Sequence, residues 1–188
     1  MHSELSEYDE ACQSYDKSFG IRKNLNKLET DKGALLLTNM GAVQGKMKNF
    51  QSAIEKFDEA ERIRNMTGTT DSPDGAFLMD NIAYVYSEQH NFDAAKMKYI
   101  EARKLRDMLG THKSMDGALH SAGLGNLYLN MKDFGMAIKH FTEAMDIHKE
   151  LGSLDKPEGI KVVEAVIGCQ RVIEFTTSSK NLGSSCCI

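Results

Sequence analysis

The chain has 188 residues, of which 41% are hydrophobic and 27% are charged, a balance that is typical of a globular protein. Its formal net charge of −4 gives no general attraction to phosphate backbones, so nucleic acid is not an expected partner. The first residues are acidic and polar and do not resemble a secretory signal, and no apolar run reaches the length of a membrane span, so we expect a cytoplasmic protein.

Glycine recurs at a fixed interval of 42 residues, at Gly33, Gly75, Gly117 and Gly159, and similar residues follow each one. A period of roughly 20–50 residues is typical of a repeat array, in which each unit buries its apolar face against its neighbour. The predicted organisation is therefore three full units with incomplete ends. The units are 33–74, 75–116 and 117–158, between an N-terminal half-repeat (1–32), a C-terminal helix (159–176) and a tail (177–188).

Residues 8–28 are predicted to form a helix that matches the second helix of a unit. Ala11 and Tyr15 stand one period before Ala53 and Phe57 in the first full unit. No counterpart of a first helix precedes them, so residues 1–32 are interpreted as a half-repeat that consists of a second helix only.

The first half of each full unit is predicted to be an amphipathic helix of about 15 residues, because apolar residues recur at i, i+4 and i+7. In the first unit these are Leu36, Met40 and Val43. A short polar break follows, and its Asn or Asp side chain can cap the next helix by accepting a backbone N–H bond. The capping residues predicted in this way are Asn49, Asn91 and Asp133.

The second half of each unit is predicted to be a second helix, with Ala53, Phe57 and Ala60 on one face in the first unit. Small residues beside one aromatic ring allow two helices to approach closely. The late charged residues, including Arg62 and Arg64, are interpreted as part of a solvated face. A left-handed glycine is predicted to end each second helix. These glycines are Gly68, Gly110 and Gly152.

Residues 159–176 are predicted to form a first helix with no second helix behind it. Its apolar face is wide, and it consists of Ile160, Val163, Val166, Ile167 and Ile173. Exposed apolar surface at the end of an array can indicate self-association, a missing continuation or a helix that packs differently.

The tail, 177–188, is polar and rich in serine, so we predict that it is disordered. It contains Cys186 and Cys187, which are candidate lipidation sites, although Ser185 stands where C-terminal prenylation requires a cysteine. The expected state is an unmodified tail, and a membrane contact is expected only if these cysteines carry lipid.

The residue pattern of the units resembles the tetratricopeptide repeat (TPR) signature. Leu124, Gly125 and Tyr128 followed by Ala137 and Phe141 match it closely, whereas Gln44 replaces the tyrosine in the first unit. The long period is similar to that of kinesin light chains and of Pins-like scaffolds. The resemblance implies an all-α fold, a right-handed α-solenoid of TPR helix–turn–helix hairpins, without enzymatic activity.

In the proteins that the chain resembles, the first helices line a concave groove that binds an extended or helical peptide, and asparagines there form a ladder of amides. Asn39 and Asn81 occupy the ladder position, Gly123 and Ala165 interrupt it, and Asn126 matches a second asparagine. The alternative is that the amides cap or bridge helices, and that the apolar positions belong to the core. The predicted groove residues are Leu35, Thr38, Asn39, Lys46, Phe77, Asp80, Asn81, Tyr84, Leu119 and Asn126.

Several other functions are not expected. Co-chaperone TPR domains hold a C-terminal carboxylate of Hsp70 or Hsp90 with Lys and Arg, but Leu35, Thr38, Phe77, Asp80, Leu119 and Ala122 occupy the corresponding positions here. No catalytic or metal-ligand arrangement stands out, so we predict no enzyme activity, cofactor or metal site. The predicted function is a scaffold or adaptor for a protein or peptide ligand. The alternative is a structural subunit that assembles end to end through its incomplete terminal repeats.

Overall fold

The computed structural model describes the backbone of residues 2–184, and over that range it contains eight α-helices and no β-strand. The helices form two compact units, which are larger than the 42-residue repeats. We call residues 1–109, with α1–α5, the first unit and residues 110–188, with α6–α8, the second unit. The helices are α1 (His2–Asn24), α2 (Asp31–Lys46), α3 (Phe50–Thr67), α4 (Pro73–Glu88), α5 (Phe92–Leu109), α6 (Met115–Asn130), α7 (Phe134–Glu150) and α8 (Pro157–Ser184).

Three helical hairpins, α2–α3, α4–α5 and α6–α7, make up most of the chain. Each first helix has 16 residues, as the apolar spacing predicts. The turn inside each hairpin contains one left-handed residue that is not glycine. These residues are Lys48, His90 and Lys132, with φ of 61–63°, and the sequence pattern did not indicate this conformation.

The glycines that define the period have a steric role. A Cβ atom on Gly33 would overlap the carbonyl oxygen of Leu28, and one on Gly75 would overlap that of Thr70. Gly117 has the same relation to His112. The loop before each first helix therefore passes so close to the first helical turn that only glycine fits there.

The predicted helix caps are largely confirmed. Gly68, Gly110 and Gly152 have φ of 63–69°, the left-handed conformation that ends a helix. Asp133 Oδ1 accepts a hydrogen bond from Met136 N at 3.0 Å. The prediction for Asn49 was wrong, because its side chain makes no cap bond and instead donates from Nδ2 to Gln44 Oε1.

Small residues and aromatic rings bring the two helices of a hairpin together. A Cβ atom on Gly41 would overlap the ring of Phe57, which is 1% exposed, and the same holds for Gly125 and Phe141. In the first unit a core cluster continues from the α2–α3 hairpin to α4. It includes Ala34, Leu37, Ala53, Phe57, Ala60, Ile63, Leu78, Ile82 and Val85.

Helix α8 packs on α7 through Val162, Val166 and Cys169, which are buried. Ile160 and Ile167, on the predicted apolar face, are exposed. The helix continues to Ser184, which corrects both the predicted end at residue 176 and the predicted disorder of 177–184. Polar composition suggested disorder there, but this segment contains no proline to stop the helix.

Helix α1 packs against α2 in the first unit. The assignment of α1 to a half-repeat stays a prediction, as do the boundaries of the 42-residue repeats. None of the helices among residues 2–184 has both the length and the apolar character needed to cross a bilayer.

Candidate functional site

The first helices of two successive hairpins, α2 and α4, lie side by side in the first unit. A Cβ atom on Gly45 would lie 2.9 Å from Val85 Cγ2 and 3.7 Å from the ring of Tyr84, so the glycine allows close contact. Asn39 and Asn81, one period apart, consequently stand at the same position on neighbouring helices. We call the outward side of α2 and α4 around these two residues the α2–α4 surface.

The two asparagine amides of the α2–α4 surface do not bridge the helices. Asn81 Nδ2 donates to Phe77 O of its own helix at 2.8 Å, which leaves Oδ1 of that amide able to accept. Asn39 is half-buried, and none of the hydrogen bonds of the described residues uses its side chain. Both amides therefore keep hydrogen-bonding capacity that a peptide backbone could use.

Two of the predicted groove residues are not available to a ligand. Thr38 is fully buried, and its Oγ1 donates to Ala34 O at 2.9 Å. Asp80 forms an ion pair with the buried Arg106, which uses its carboxylate inside the fold. Burial encloses Thr38, and the ion pair with Arg106 engages the carboxylate of Asp80, so we do not count these two positions among the ligand contacts.

The remaining predicted residues on α2 and α4 are at least partly accessible. Leu35, Phe77 and Tyr84 are half-buried, and Lys46 is exposed. Burial, followed by the charges of Glu88 and Tyr8, raises the pKa of Tyr84, so its phenol stays protonated and can donate a hydrogen bond. The α2–α4 surface thus combines apolar area with amide and phenol groups.

In the second unit the predicted residues lie on α6. Leu119 is 54% exposed and Asn126 is also exposed. Seven residues correspond to about two helical turns, so both side chains project from the same side of α6. This helix offers one apolar residue and one amide.

Buried arginines are a feature that the sequence analysis missed. Arg64 is only 1% exposed, although it was interpreted as part of a solvated face. Its Nη1 lies 2.9 Å from Asp31 Oδ1, and its Nη2 lies 3.6 Å from Asp74 Oδ2. These carboxylates come from the first turns of α2 and α4, so the arginine links the start of one repeat to the next.

The residues equivalent to Arg64 in the other two hairpins are also buried. Arg106, one period after Arg64, is fully buried and pairs with Asp80, and the third equivalent is His148. His148 Nδ1 lies 2.9 Å from Ser153 Oγ. The regular interval between these residues was visible in the sequence and could have indicated a structural role.

A cavity of about 190 Å³ lies between α1, α2 and α3. It occurs beside Gln44, the residue that replaces the signature tyrosine. Gln44 Nε2 donates to Cys12 Sγ at 3.6 Å. Burial, with the charges of Asp16 and Asp9, raises the pKa of the Cys12 thiol, so this cysteine is a poor nucleophile. The lining residues are Cys12, Tyr15, Asp16, Met40, Gln44, Ser52 and Lys56.

Comparison with known families gives two matches, each described as a tetratricopeptide repeat, over residues 34–108 and 122–155. Together they cover more than half of the chain. The chain belongs to the tetratricopeptide repeat family. Repeats of this family generally mediate interactions between proteins and are generally not catalytic. A search of curated proteins found no match.

Two solved structures are similar to this chain in fold. BtubC (BKLC) from P. vanneervenii is 16% identical, with a TM-score of 0.61 over 92% of this chain and 76% of its own. A kinesin light chain-like protein of Podosopora anserina, with nearly identical TPR-like repeats, is 10% identical. Its TM-score is 0.65 over 97% of this TPR chain and 86% of its own. These similarities confirm the predicted fold class, an all-α array of TPR hairpins. Cys186 and Cys187 lie outside the described residues, so both the expected unmodified tail and the alternative of lipidation stay untested.

Proposed function

We propose that this TPR chain is a cytoplasmic scaffold or adaptor that binds an extended or helical segment of another protein at the α2–α4 surface. The observation that carries the proposal is the pair of amides at Asn39 and Asn81. They stand one period apart on adjacent helices, and neither is used to hold those helices together.

The physical basis of binding is a set of groups that are already in place before the ligand arrives. The amides donate to and accept from the peptide backbone, while Leu35, Phe77 and Tyr84 contact its apolar side chains. Helical scaffolds that are folded before binding lose little entropy on association, which favours affinity. Leu119 and Asn126 provide a further apolar and amide pair on α6.

The charges of the surface indicate which ligands it does not select. Asp80 is neutralised by Arg106, and Lys46 is the exposed cation among the predicted groove residues. One cation does not form the paired Lys and Arg arrangement that holds a terminal carboxylate. We therefore propose an internal peptide segment, rather than an Hsp70 or Hsp90 tail, as the ligand.

A displayed library of random 15-residue peptides tests the proposal. Peptides selected on the wild-type chain are measured by isothermal titration against Asn39→Ala/Asn81→Ala and against Asn24→Ala, an exposed asparagine at the end of α1. We expect the double variant to weaken binding by about tenfold or more, since two backbone hydrogen bonds are lost. The control should bind as the wild type does. Equal binding by all three chains would show that the α2–α4 amides do not hold the peptide.

A further inference from the structure

The outward face of α8 carries exposed apolar side chains together with one acid and one base. Ile160, Ile167 and Phe175 are 46%, 42% and 74% exposed. Glu164 and Arg171 are exposed between them. Helix α8 uses its opposite side to pack on α7, so these five residues form an exposed stripe on the other side of the helix.

The stripe is self-complementary when the helix is reversed. Ile160 and Phe175 are equally distant in sequence from the point between Ile167 and Gly168, and so are Glu164 and Arg171. Seven residues make about two turns, which brings Glu164 and Arg171 to the same side of the helix. In an antiparallel pair centred on that point, Glu164 of each copy lies opposite Arg171 of the other, which gives two ion pairs. Ile160 of each copy likewise lies opposite Phe175 of the other.

The two charged residues of this stripe are not paired with each other or with other residues that the structure describes. Glu164 and Arg171 lie about 10 Å apart along α8, too far to pair with each other. Neither forms an ion pair with another of the described residues. Gly168, at the centre, has no heavy atom within 4 Å of the position of a Cβ atom, so the backbone there is open to close approach by another helix.

A continuation of the repeat array does not suit the same face. Ile167 stands at the position of Gly41, Ala83 and Gly125 in the full repeats. At Gly41 and Gly125 the aromatic ring of the second helix occupies the space that a Cβ atom would need. The larger Ile167 side chain would hold a second helix of this type away from α8.

We infer that α8 is a self-association surface, which pairs antiparallel with α8 of a second copy around a two-fold axis near Gly168. This pairing is closed and isologous, in contrast to an open end-to-end array. A single pair of helices buries less than the roughly 800 Å² per partner of a typical stable interface, so the dimer is reversible and forms at about micromolar concentration. The inference is independent of peptide binding at the α2–α4 surface.

Charge reversal tests this arrangement with the full chain, using sedimentation velocity from about 1 to 300 μM, a range that brackets the expected affinity. We expect the wild type to pass from monomer to dimer. Glu164→Arg and Arg171→Glu should each remain monomeric, because each places two like charges opposite each other. Glu55→Arg, an exposed substitution on α3, is the matched control and should dimerise as the wild type does.

Restoration of the dimer gives the decisive result. The double variant Glu164→Arg/Arg171→Glu should dimerise again, and an equimolar mixture of the two single variants should form a heterodimer. Circular dichroism confirms that each variant is folded. A wild type that stays monomeric overturns the inference. So do single variants that dimerise normally, or a double variant and a mixture that both stay monomeric.

Discussion

The cavity beside Gln44 makes the substitution Gln44→Tyr a test of how the repeats pack. Tyr86 and Tyr128 occupy the equivalent positions, and Tyr128 is 8% exposed and stacked on His140 with ring centroids 5.3 Å apart. The first repeat has a cavity of about 190 Å³ at this position. A tyrosine ring would fill part of this space between α1, α2 and α3, and we expect it to stabilise the first unit.

The size of the expected gain in stability follows from the volume that the tyrosine ring adds to the cavity. Tyrosine exceeds glutamine by about 50 Å³, which at about 24 cal/mol per Å³ corresponds to about 1.2 kcal/mol. Two bonds of Gln44 are lost: the exposed bond from Asn49 Nδ2 to Oε1 costs about 0.5 kcal/mol, and the weaker bond from Nε2 to Cys12 Sγ costs about 0.3 kcal/mol. The net gain in the free energy of unfolding is therefore about 0.4 kcal/mol, or about 1 °C in Tm for a chain of this size.

Urea and thermal denaturation followed by circular dichroism measure this gain. Gln13→Tyr is the control, because it adds the same ring at an exposed position of α1 away from the cavity lining. A Gln44→Tyr chain that is no more stable than the control would show that the cavity does not admit the ring. The reasoning from the equivalent tyrosines would then be refuted.

Two further predictions concern buried groups and close helix contacts. Asp80→Asn should destabilise the first unit by about 2–4 kcal/mol in urea denaturation, because it leaves the buried charge of Arg106 without its carboxylate. Asp31→Asn should cost less, about 1 kcal/mol, because Asp31 is half-exposed and Asp74 remains beside the buried Arg64, and equal losses would contradict this account. Gly125→Ala should lower stability by about 1–3 kcal/mol through overlap with a buried ring. Gly20→Ala, in open space within α1, should raise stability by about 0.5–1 kcal/mol, and the reverse order of Tm values would refute the steric explanation.

Much of the local structure was predictable because it depends on short-range patterns. The apolar spacing of Leu36 and Met40 predicts the first helix of a hairpin, and Gly68 predicts the end of the second. The interval between Gly33 and Gly75 predicts the repeat, since the same loop must pass the same helical turn in each unit. The candidate amides at Asn39 and Asn81 came from a resemblance to a family pattern.

The environment of each polar residue could not be predicted in the same way. Arg64 appears in a charged stretch, yet it is buried because Asp31, 33 residues earlier in the chain, supplies its counter-charge. Thr38 and Asp80 were predicted to face a ligand, but close packing of neighbouring helices encloses the first and Arg106 engages the second. The sequence by itself determined which segments are helical and how often they recur, because these properties depend on neighbours within a few turns. Only the tertiary structure decided which polar groups are left for a partner, because that depends on contacts between residues far apart in the chain.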